Sequence, residues 1–108
     1  MSEANEDPFI GQTVLGRYRV IRLLALGGMG KVYLARGEGA AGFVKPVVIK
    51  RLLPEFSSSP EVVRMFVREA RIMANLQHPG ITAVYDFGEE DDSYLLAMEY
   101  VQIGRAHV

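Results

Sequence analysis

Hydrophobic and polar positions alternate loosely along the first half of the chain, with many β-branched and aromatic residues. This period-2 pattern predicts three strands, at Gly16–Ala25, Lys31–Gly37 and Pro46–Leu53. Proline has no backbone donor, so Pro46 is expected only at the beginning of its strand. Three glycines within positions 27–30 separate the first two strands, which predicts a hairpin with a flexible tip.

The pattern becomes helical after Ser58. Ser59 is a good N-cap and Pro60 suits the first helical position, so we predict a helix over about Pro60–Gln77. At about 100° per residue, polar and apolar side chains separate onto opposite faces. The polar face consists of Glu61, Arg64, Arg68, Arg71 and Asn75, and the apolar arc of Val62, Phe66, Ala70, Met73 and Leu76.

Two more strands are predicted at Ile81–Gly88 and Ser93–Val101, joined by the acidic turn "EEDD". Residues 1–14 begin with the acidic stretch "MSEANEDP" and are predicted to form a disordered, solvated tail. The expected fold class is therefore α+β. In residues 15–101, a twisted antiparallel sheet of five strands carries one main helix.

Composition narrows the possible functions. A chain of 108 residues suits one small domain, and its net charge of −1 provides no field for attracting nucleic acid. The absence of cysteine excludes a disulfide scaffold and thiolate metal sites. No apolar run approaches the ~20 residues of a membrane-spanning helix. We therefore expect a cytoplasmic domain that contains no membrane segment and binds no nucleic acid.

Two charged residues occupy positions where apolar side chains are expected. Glu69 falls within the apolar arc of the helix, and Lys50 shares a strand face with Val48 and Leu52. Taken separately, each has an ordinary explanation: a carboxylate at the rim that reaches water, and a lysine with a buried stem and a wet head. Taken together, they predict a buried ion pair that holds an ammonium at a fixed point.

The glycine-rich segment "ALGGMGKV" (Ala25–Val32) has small residues at the positions of a G-x-G-x-x-G-x-V pattern. A dinucleotide-binding loop would be followed by a helix, and a Walker loop would need Gly-Lys-Ser/Thr. The strand-like "KVYLA" that follows excludes both. A glycine-tipped hairpin can instead bring backbone N–H groups close to phosphates without obstruction by Cβ atoms. The alternative is an ordinary flexible hairpin.

The order of these features resembles the N-terminal lobe of a protein kinase. The glycine hairpin is followed by "VVIK" with Lys50, by a helix with Glu69, by "HPGI" (His78–Ile81) and by "AMEYV" (Ala97–Val101). The segments "GGMGKVYLA" and "KPVVIKRLLPE" are most similar to the eukaryotic-like Ser/Thr kinases of bacteria. The resemblance covers about Leu15 to Val101.

The resemblance implies ATP as the ligand and specific roles for residues. Lys50 is expected to hold the α- and β-phosphates, and Glu69 to orient Lys50. Ala25 replaces the first loop glycine, and Val48 stands where the family usually has alanine. The resemblance also implies that the loop residues Ala25, Gly27, Gly28 and Gly30 cover the phosphates, and that Leu24, Val32 and Val48 form the ceiling over the adenine. Met98 would be the gatekeeper, and Glu99 and Val101 would belong to the hinge between the lobes. Met73 and Val84 would pack behind Glu69.

The triplet "DFG" at Asp86–Gly88 is interpreted as part of a strand and turn. In a kinase the metal-binding triplet follows the catalytic loop, whereas this one precedes the expected hinge. The catalytic loop H-R-D-x-x-x-x-N, the later D-F-G and the A-P-E are absent from the sequence. We therefore expect no metal ligand in this chain, and expect the Mg²⁺ ligands in a C-terminal lobe that this sequence lacks.

The resemblance implies the ATP-binding lobe of a Ser/Thr kinase that phosphorylates proteins, inactive as this piece alone. A pseudokinase or scaffold module that binds nucleotide without transfer is the alternative. A kinase of small molecules is a third possibility, which "GGMGKVYLA" and "HPGI" argue against. Residues 102–108 are expected to be non-native, since "IGRAHV" (Ile103–Val108) resembles a translated sequencing adapter. A divergent natural linker is the other interpretation of this tail.

Overall fold

The computed structural model describes residues 7–28, 30–38, 42, 44–75 and 83–100, with the side chains of 73–75 excepted. The regular elements lie close to the predicted ones, although an extra strand and an extra helical turn are present. In chain order they are β1 (Thr13–Val14), β2 (Tyr18–Leu26), β3 (Gly30–Glu38), β4 (Val44–Leu52), α1 (Pro54–Ser57), α2 (Pro60–Asn75), β5 (Val84–Glu90) and β6 (Ser93–Glu99).

The strands form one antiparallel sheet in the order β1-β2-β3-β4-β6-β5. The prediction of five strands was wrong because it missed β1. A strand of two residues is too short to produce a periodic pattern. Pro46 lies inside β4 rather than at its beginning. It pairs with Arg36 on β3, but β6 reaches β4 only from Val47 onward, so the proline has a neighbouring strand on one side only.

The main helix α2 begins as predicted. Ser59 caps it, since its Oγ accepts a hydrogen bond from the Val62 N–H at 3.4 Å and its carbonyl accepts one from Val63 at 3.0 Å. The described helix ends at Asn75, so the predicted last residues, Leu76 and Gln77, lie outside the described part. The segment predicted as a turn before it contains the single helical turn α1.

The sheet has a hydrophobic cluster on each face. Phe66 and Ala70 of α2 pack against Leu52 and Leu96, which confirms the apolar arc of the helix where it is described. The larger cluster lies on the opposite face and combines residues of β2, β3, β4 and β6 with the N-terminal segment. Its buried members are Phe9, Val14, Tyr18, Val20, Tyr33, Ala35, Val47, Ile49, Leu95 and Ala97.

The sheet curls until its first strands approach its last. The Leu15 N–H, just after β1, donates to the Glu90 carboxylate at the end of β5 at 2.8 Å. The Leu15 side chain lies so close to Gly88 that a Cβ there would fall 2.7 Å from it. A curled sheet of this kind protects both edges and surrounds the larger hydrophobic cluster.

The prediction of a disordered tail over residues 1–14 was wrong for the residues described from Asp7 onward. Phe9 and Val14 are buried, with 7% and 1% of their surface exposed. Backbone hydrogen bonds link Gly11 and Gln12 to Val20, each at 2.9 Å. The acidic residues of the segment led to the prediction of a solvated tail, but its apolar side chains pack on the face of the sheet that α2 does not cover.

Candidate functional site

Lys50 and Glu69 form the predicted ion pair. Lys50 Nζ donates to Glu69 Oε1 at 3.0 Å and to Oε2 at 3.2 Å. The expectation that this pair would be buried was wrong, because the two side chains are 34% and 51% exposed. Phe66 and Ala70 are the residues of α2 that pack against the sheet, so Glu69 lies at the rim of the helix–sheet contact. The pair therefore stands at the mouth of a cleft rather than inside a core.

The glycine hairpin between β2 and β3 closes with a bond from the Gly27 N–H to the Gly30 carbonyl at 2.8 Å. Around Gly28 nothing lies within 4 Å of a hypothetical Cβ, so this tip is open. At Gly30 a Cβ would collide with the Arg51 carbonyl of β4, so only glycine allows the two strands to approach here. The glycines thus serve two purposes: an open tip and a close strand contact.

A cavity of about 310 Å³ lies between the hairpin, β4 and α2. It brings together six of the predicted site residues: Gly27, Gly28, Gly30, Val32, Lys50 and Glu69. Sequence reasoning did not assign the other lining residues: Arg51, Leu52, Val62, Met65 and Phe66. Leu52 shares a strand face with Lys50, and Val62 and Phe66 lie on the apolar arc, so the patterns contained a signal for three of them.

Of the predicted adenine-side residues, Val32 lines this cavity, whereas Leu24, Val48 and Met98 are outside its lining. Val48 pairs with Met98 across β4 and β6, and Met98 pairs with Val84 across β6 and β5. Val84 and Met98 both pack in the cluster under α2. Leu24 is half-buried on β2, where the register shifts between Leu23 and Ala25.

The hinge prediction is only partly covered by the described residues. Glu99 ends β6, and its N–H donates to the Ala83 carbonyl at 2.8 Å. Val101 and the "HPGI" segment lie outside the described residues, as does the side chain of Met73. No packing or binding role is assigned to these three from the structure.

The early "DFG" triplet lies in β5, as the sequence predicted. Asp86 Oδ1 accepts a hydrogen bond from the neighbouring Phe87 N–H at 2.9 Å. The Phe87 ring centroid lies 5.9 Å from that of Phe66, under α2. Within the described ranges, no three carboxylate or imidazole side chains are placed to hold a metal ion.

None of the helices in the described part of the chain is long and apolar enough to cross a membrane.

Comparison with known proteins assigns the family. Residues 18–107 match the family model described as "Protein kinase domain". The chain belongs to the protein kinase family. Members of this family use ATP and a divalent metal. The open glycine tip and the Lys50 ammonium suit the phosphates, whereas the described residues offer no metal site of their own.

Three similar kinases come from bacteria. The tyrosine-protein kinase MasK of Myxococcus xanthus (strain DK1622) is 44% identical over 80% of this chain and 13% of its own length. The Ser/Thr-protein kinase PrkC of Bacillus subtilis (strain 168) is 42% identical over 86% of this chain and 14% of its own. The Ser/Thr-protein kinase PknA of Mycobacterium tuberculosis (strain H37Rv) is 44% identical over 88% of this chain and 22% of its own length. The chain thus spans less than a quarter of these relatives.

A solved structure supports the fold. The kinase domain of Mycobacterium tuberculosis PknI superimposes with a TM-score of 0.64 at 40% identity. The match covers 84% of this chain and 35% of the PknI domain. The curled sheet and α2 therefore correspond to part of a kinase domain, the β-rich N-terminal lobe.

Proposed function

We propose that this chain is the nucleotide-binding lobe of a Ser/Thr protein kinase, which transfers the γ-phosphoryl group of ATP to protein hydroxyl groups. The observation that carries the proposal is the placement of the Lys50–Glu69 pair at the mouth of the cleft under the glycine hairpin. An ammonium held there by a carboxylate can neutralise phosphate charge from a fixed position.

The proposed mechanism divides the work among three features. Lys50 binds phosphate oxygens, and Glu69 orients its ammonium by accepting from it with both carboxylate oxygens. The open tip at Gly27 and Gly28 lets the backbone approach the phosphates. Val32 and Val48 exclude water above the base. Phosphoryl transfer depends mainly on such positioning and charge neutralisation.

Mg²⁺ is the proposed metal, and it neutralises charge on the β- and γ-phosphates when bound. Its ligands, and the catalytic base, are proposed to come from the catalytic loop and the later D-F-G motif, which this sequence does not contain. Lys50 and Glu69 then supply the upper half of a clamp. For that reason the 108-residue chain alone is expected to show no phosphoryl transfer.

Specificity for Ser and Thr is proposed from the relatives named above. PrkC and PknA are named as Ser/Thr kinases, whereas MasK is named as a tyrosine kinase. Phosphoamino-acid analysis of the labelled product distinguishes the two outcomes.

The experiment uses the full-length kinase that we propose contains this lobe. Radiolabelled ATP and a generic protein substrate are incubated with unmutated enzyme, with Lys50→Met and with Lys45→Met. Lys45 is the matched control, an exposed lysine on the same strand whose ammonium lies 4.5 Å from the Tyr85 ring centre. Lys50→Met should lower transfer by at least roughly 100-fold, and Lys45→Met should not.

The opposite results are equally informative. Transfer at the unmutated rate by Lys50→Met would contradict the role of Lys50. Nucleotide binding without any transfer by the unmutated enzyme would favour the pseudokinase alternative, in which the same cleft serves as a sensor or scaffold.

A further inference from the structure

The face of the sheet opposite α2 carries a polar network that the proposed phosphate site does not use. Asp7 Oδ2 accepts a hydrogen bond from the Tyr33 hydroxyl at 2.6 Å, and Asp7 Oδ1 accepts one from the Phe9 N–H at 3.0 Å. Lys31 Nζ lies 3.7 Å from the same carboxylate. Asp7 thus ties the N-terminal segment to two residues of β3.

Phe9 extends this attachment to β4. Its ring centroid lies 4.7 Å from that of Tyr33, and the Arg51 guanidinium lies 4.5 Å from the centre of the Phe9 ring. Arg51 Nε in turn donates to Ser93 Oγ of β6 at 3.3 Å. We name the segment Asp7–Phe9 the N-terminal clasp, since it grips β3 and β4 together.

The register of β3 and β4 relates the clasp to the cleft. Lys31 is opposite Arg51, and Val32 is opposite Lys50. Because successive side chains of a strand point to opposite faces, the clasp contacts alternate with cleft residues. The clasp contacts the side chains of positions 31, 33 and 51 on one face. Positions 30, 32, 50 and 52 line the cleft, and Arg51 also contributes to its lining.

Near neutral pH, Asp7 and Tyr33 are in the protonation states that their hydrogen bond requires, an ionised carboxylate and a neutral hydroxyl. Burial pushes the pKa of the Asp7 carboxyl upward, but the hydrogen bonds from Tyr33 and Phe9 and the charge of Lys31 outweigh it, so the net shift is downward. Burial and the bond to Asp7 raise the pKa of Tyr33 to about 12. The hydroxyl therefore stays a donor to an ionised carboxylate, which makes a strong hydrogen bond.

We propose that the N-terminal clasp positions the glycine hairpin for phosphate binding. Asp7 and Tyr33 act as positioning residues: they fix the start of β3 against β4 and so hold Gly30 and Val32 over the Lys50 ammonium. The importance of this position for phosphates rests on the proposed function. The mechanical coupling between the clasp and the hairpin does not rest on the proposed function, and it can be measured separately.

The first measurement is amide hydrogen exchange on the full-length kinase. Tyr33→Phe removes the hydroxyl and retains the ring, and Asp7→Ala removes the carboxylate. Both should speed exchange at Gly30 and Val32 by about tenfold, the effect of one strong hydrogen bond. Exchange at Leu95 and Ala97 on β6 should not change, which separates local loosening from global unfolding. Tyr85→Phe and Glu38→Ala are exposed controls that should match the unmutated chain.

The second measurement is the kinetics of the full-length kinase. The clasp variants should raise the KM for ATP by roughly 3- to 10-fold with kcat within about twofold. A merely structural loss would instead reduce the active fraction, lowering kcat at unchanged KM. Asp7→Asn retains an acceptor for Tyr33 but loses the charge, so its KM should fall between those of the unmutated enzyme and Asp7→Ala.

The outcomes separate the two proposals. Unchanged exchange at Gly30 and Val32 in both clasp variants overturns the coupling, whatever the kinase activity. Faster exchange with an unchanged KM for ATP overturns the positioning role. If the unmutated enzyme transfers no phosphate, the proposed function fails, while faster exchange in the variants still supports the mechanical coupling.

Discussion

Lys50 Nζ lies 3.0 Å from Glu69 Oε1, yet half of the Glu69 side chain remains exposed to solvent. The pair joins the central strand β4 to α2 across 19 residues of sequence. An exposed pair of this kind contributes little to stability, because water screens it and the side chains lose conformational freedom. Its value therefore lies in placing an ammonium at the cleft mouth.

Glu69→Gln should separate function from stability. We expect the free energy of unfolding to change by less than about 1 kcal/mol, since the pair is exposed. Phosphoryl transfer by the full-length kinase should fall by roughly 10- to 100-fold, because Lys50 loses the charge that orients it. Denaturant titration and a radiolabel assay measure the two quantities. Glu61→Gln, an exposed glutamate on the same helix, is the control. A loss of several kcal/mol would mean that the pair is buried after all.

Gly30→Ala should destabilise the lobe far more than Gly28→Ala. The methyl group added at position 30 would collide with the Arg51 carbonyl, whereas nothing lies within 4 Å of a Cβ added at position 28. We expect a loss of about 2 kcal/mol or more for Gly30→Ala, and less than about 1 kcal/mol for Gly28→Ala. Urea titration of the 108-residue chain measures both. Equal effects for the two variants would contradict the close contact between β3 and β4.

Asp86→Ala should leave the magnesium dependence of the full-length kinase unchanged. Asp86 lies in β5, where its carboxylate accepts a bond from the Phe87 backbone rather than pointing into the cleft. The activity should stay within roughly twofold at every Mg²⁺ concentration, since no transition-state charge depends on this group. A loss as large as that of Lys50→Met, with folding intact, would make the early "DFG" a functional motif.

The stability advantage of Tyr33 over Tyr33→Phe should disappear at high pH. Since folding raises the pKa of Tyr33 to about 12, its contribution is complete below the unfolded value of about 10 and is lost as the pH rises through 12. The unmutated chain should therefore lose about 2–3 kcal/mol relative to Tyr33→Phe over this interval. Urea titrations at pH 8, 10 and 12 would measure the difference. A difference that is independent of pH would contradict the raised pKa of Tyr33, and with it the burial of the hydroxyl and its bond to Asp7.

The local elements were predictable because each depends on neighbours in the sequence. The alternation in β2, β3 and β4, the Ser59 cap and the 3.6-residue period of α2 all lie within short windows. The identities of Lys50 and Glu69 as partners also followed from the sequence. Two charges on apolar faces are costly unless they meet each other or reach water.

Tertiary structure alone decided the exposure of that pair, the curl of the sheet and the N-terminal clasp. The Lys50–Glu69 pair is half-exposed because the packing of Phe66 and Ala70 fixes the rotation of α2. The curl brings Leu15 into contact with Glu90, 75 residues away in sequence, and the clasp joins Asp7 to Tyr33, 26 residues away. Such contacts produce no periodic signal, since they depend on how the chain returns through space and not on which residues are neighbours along it.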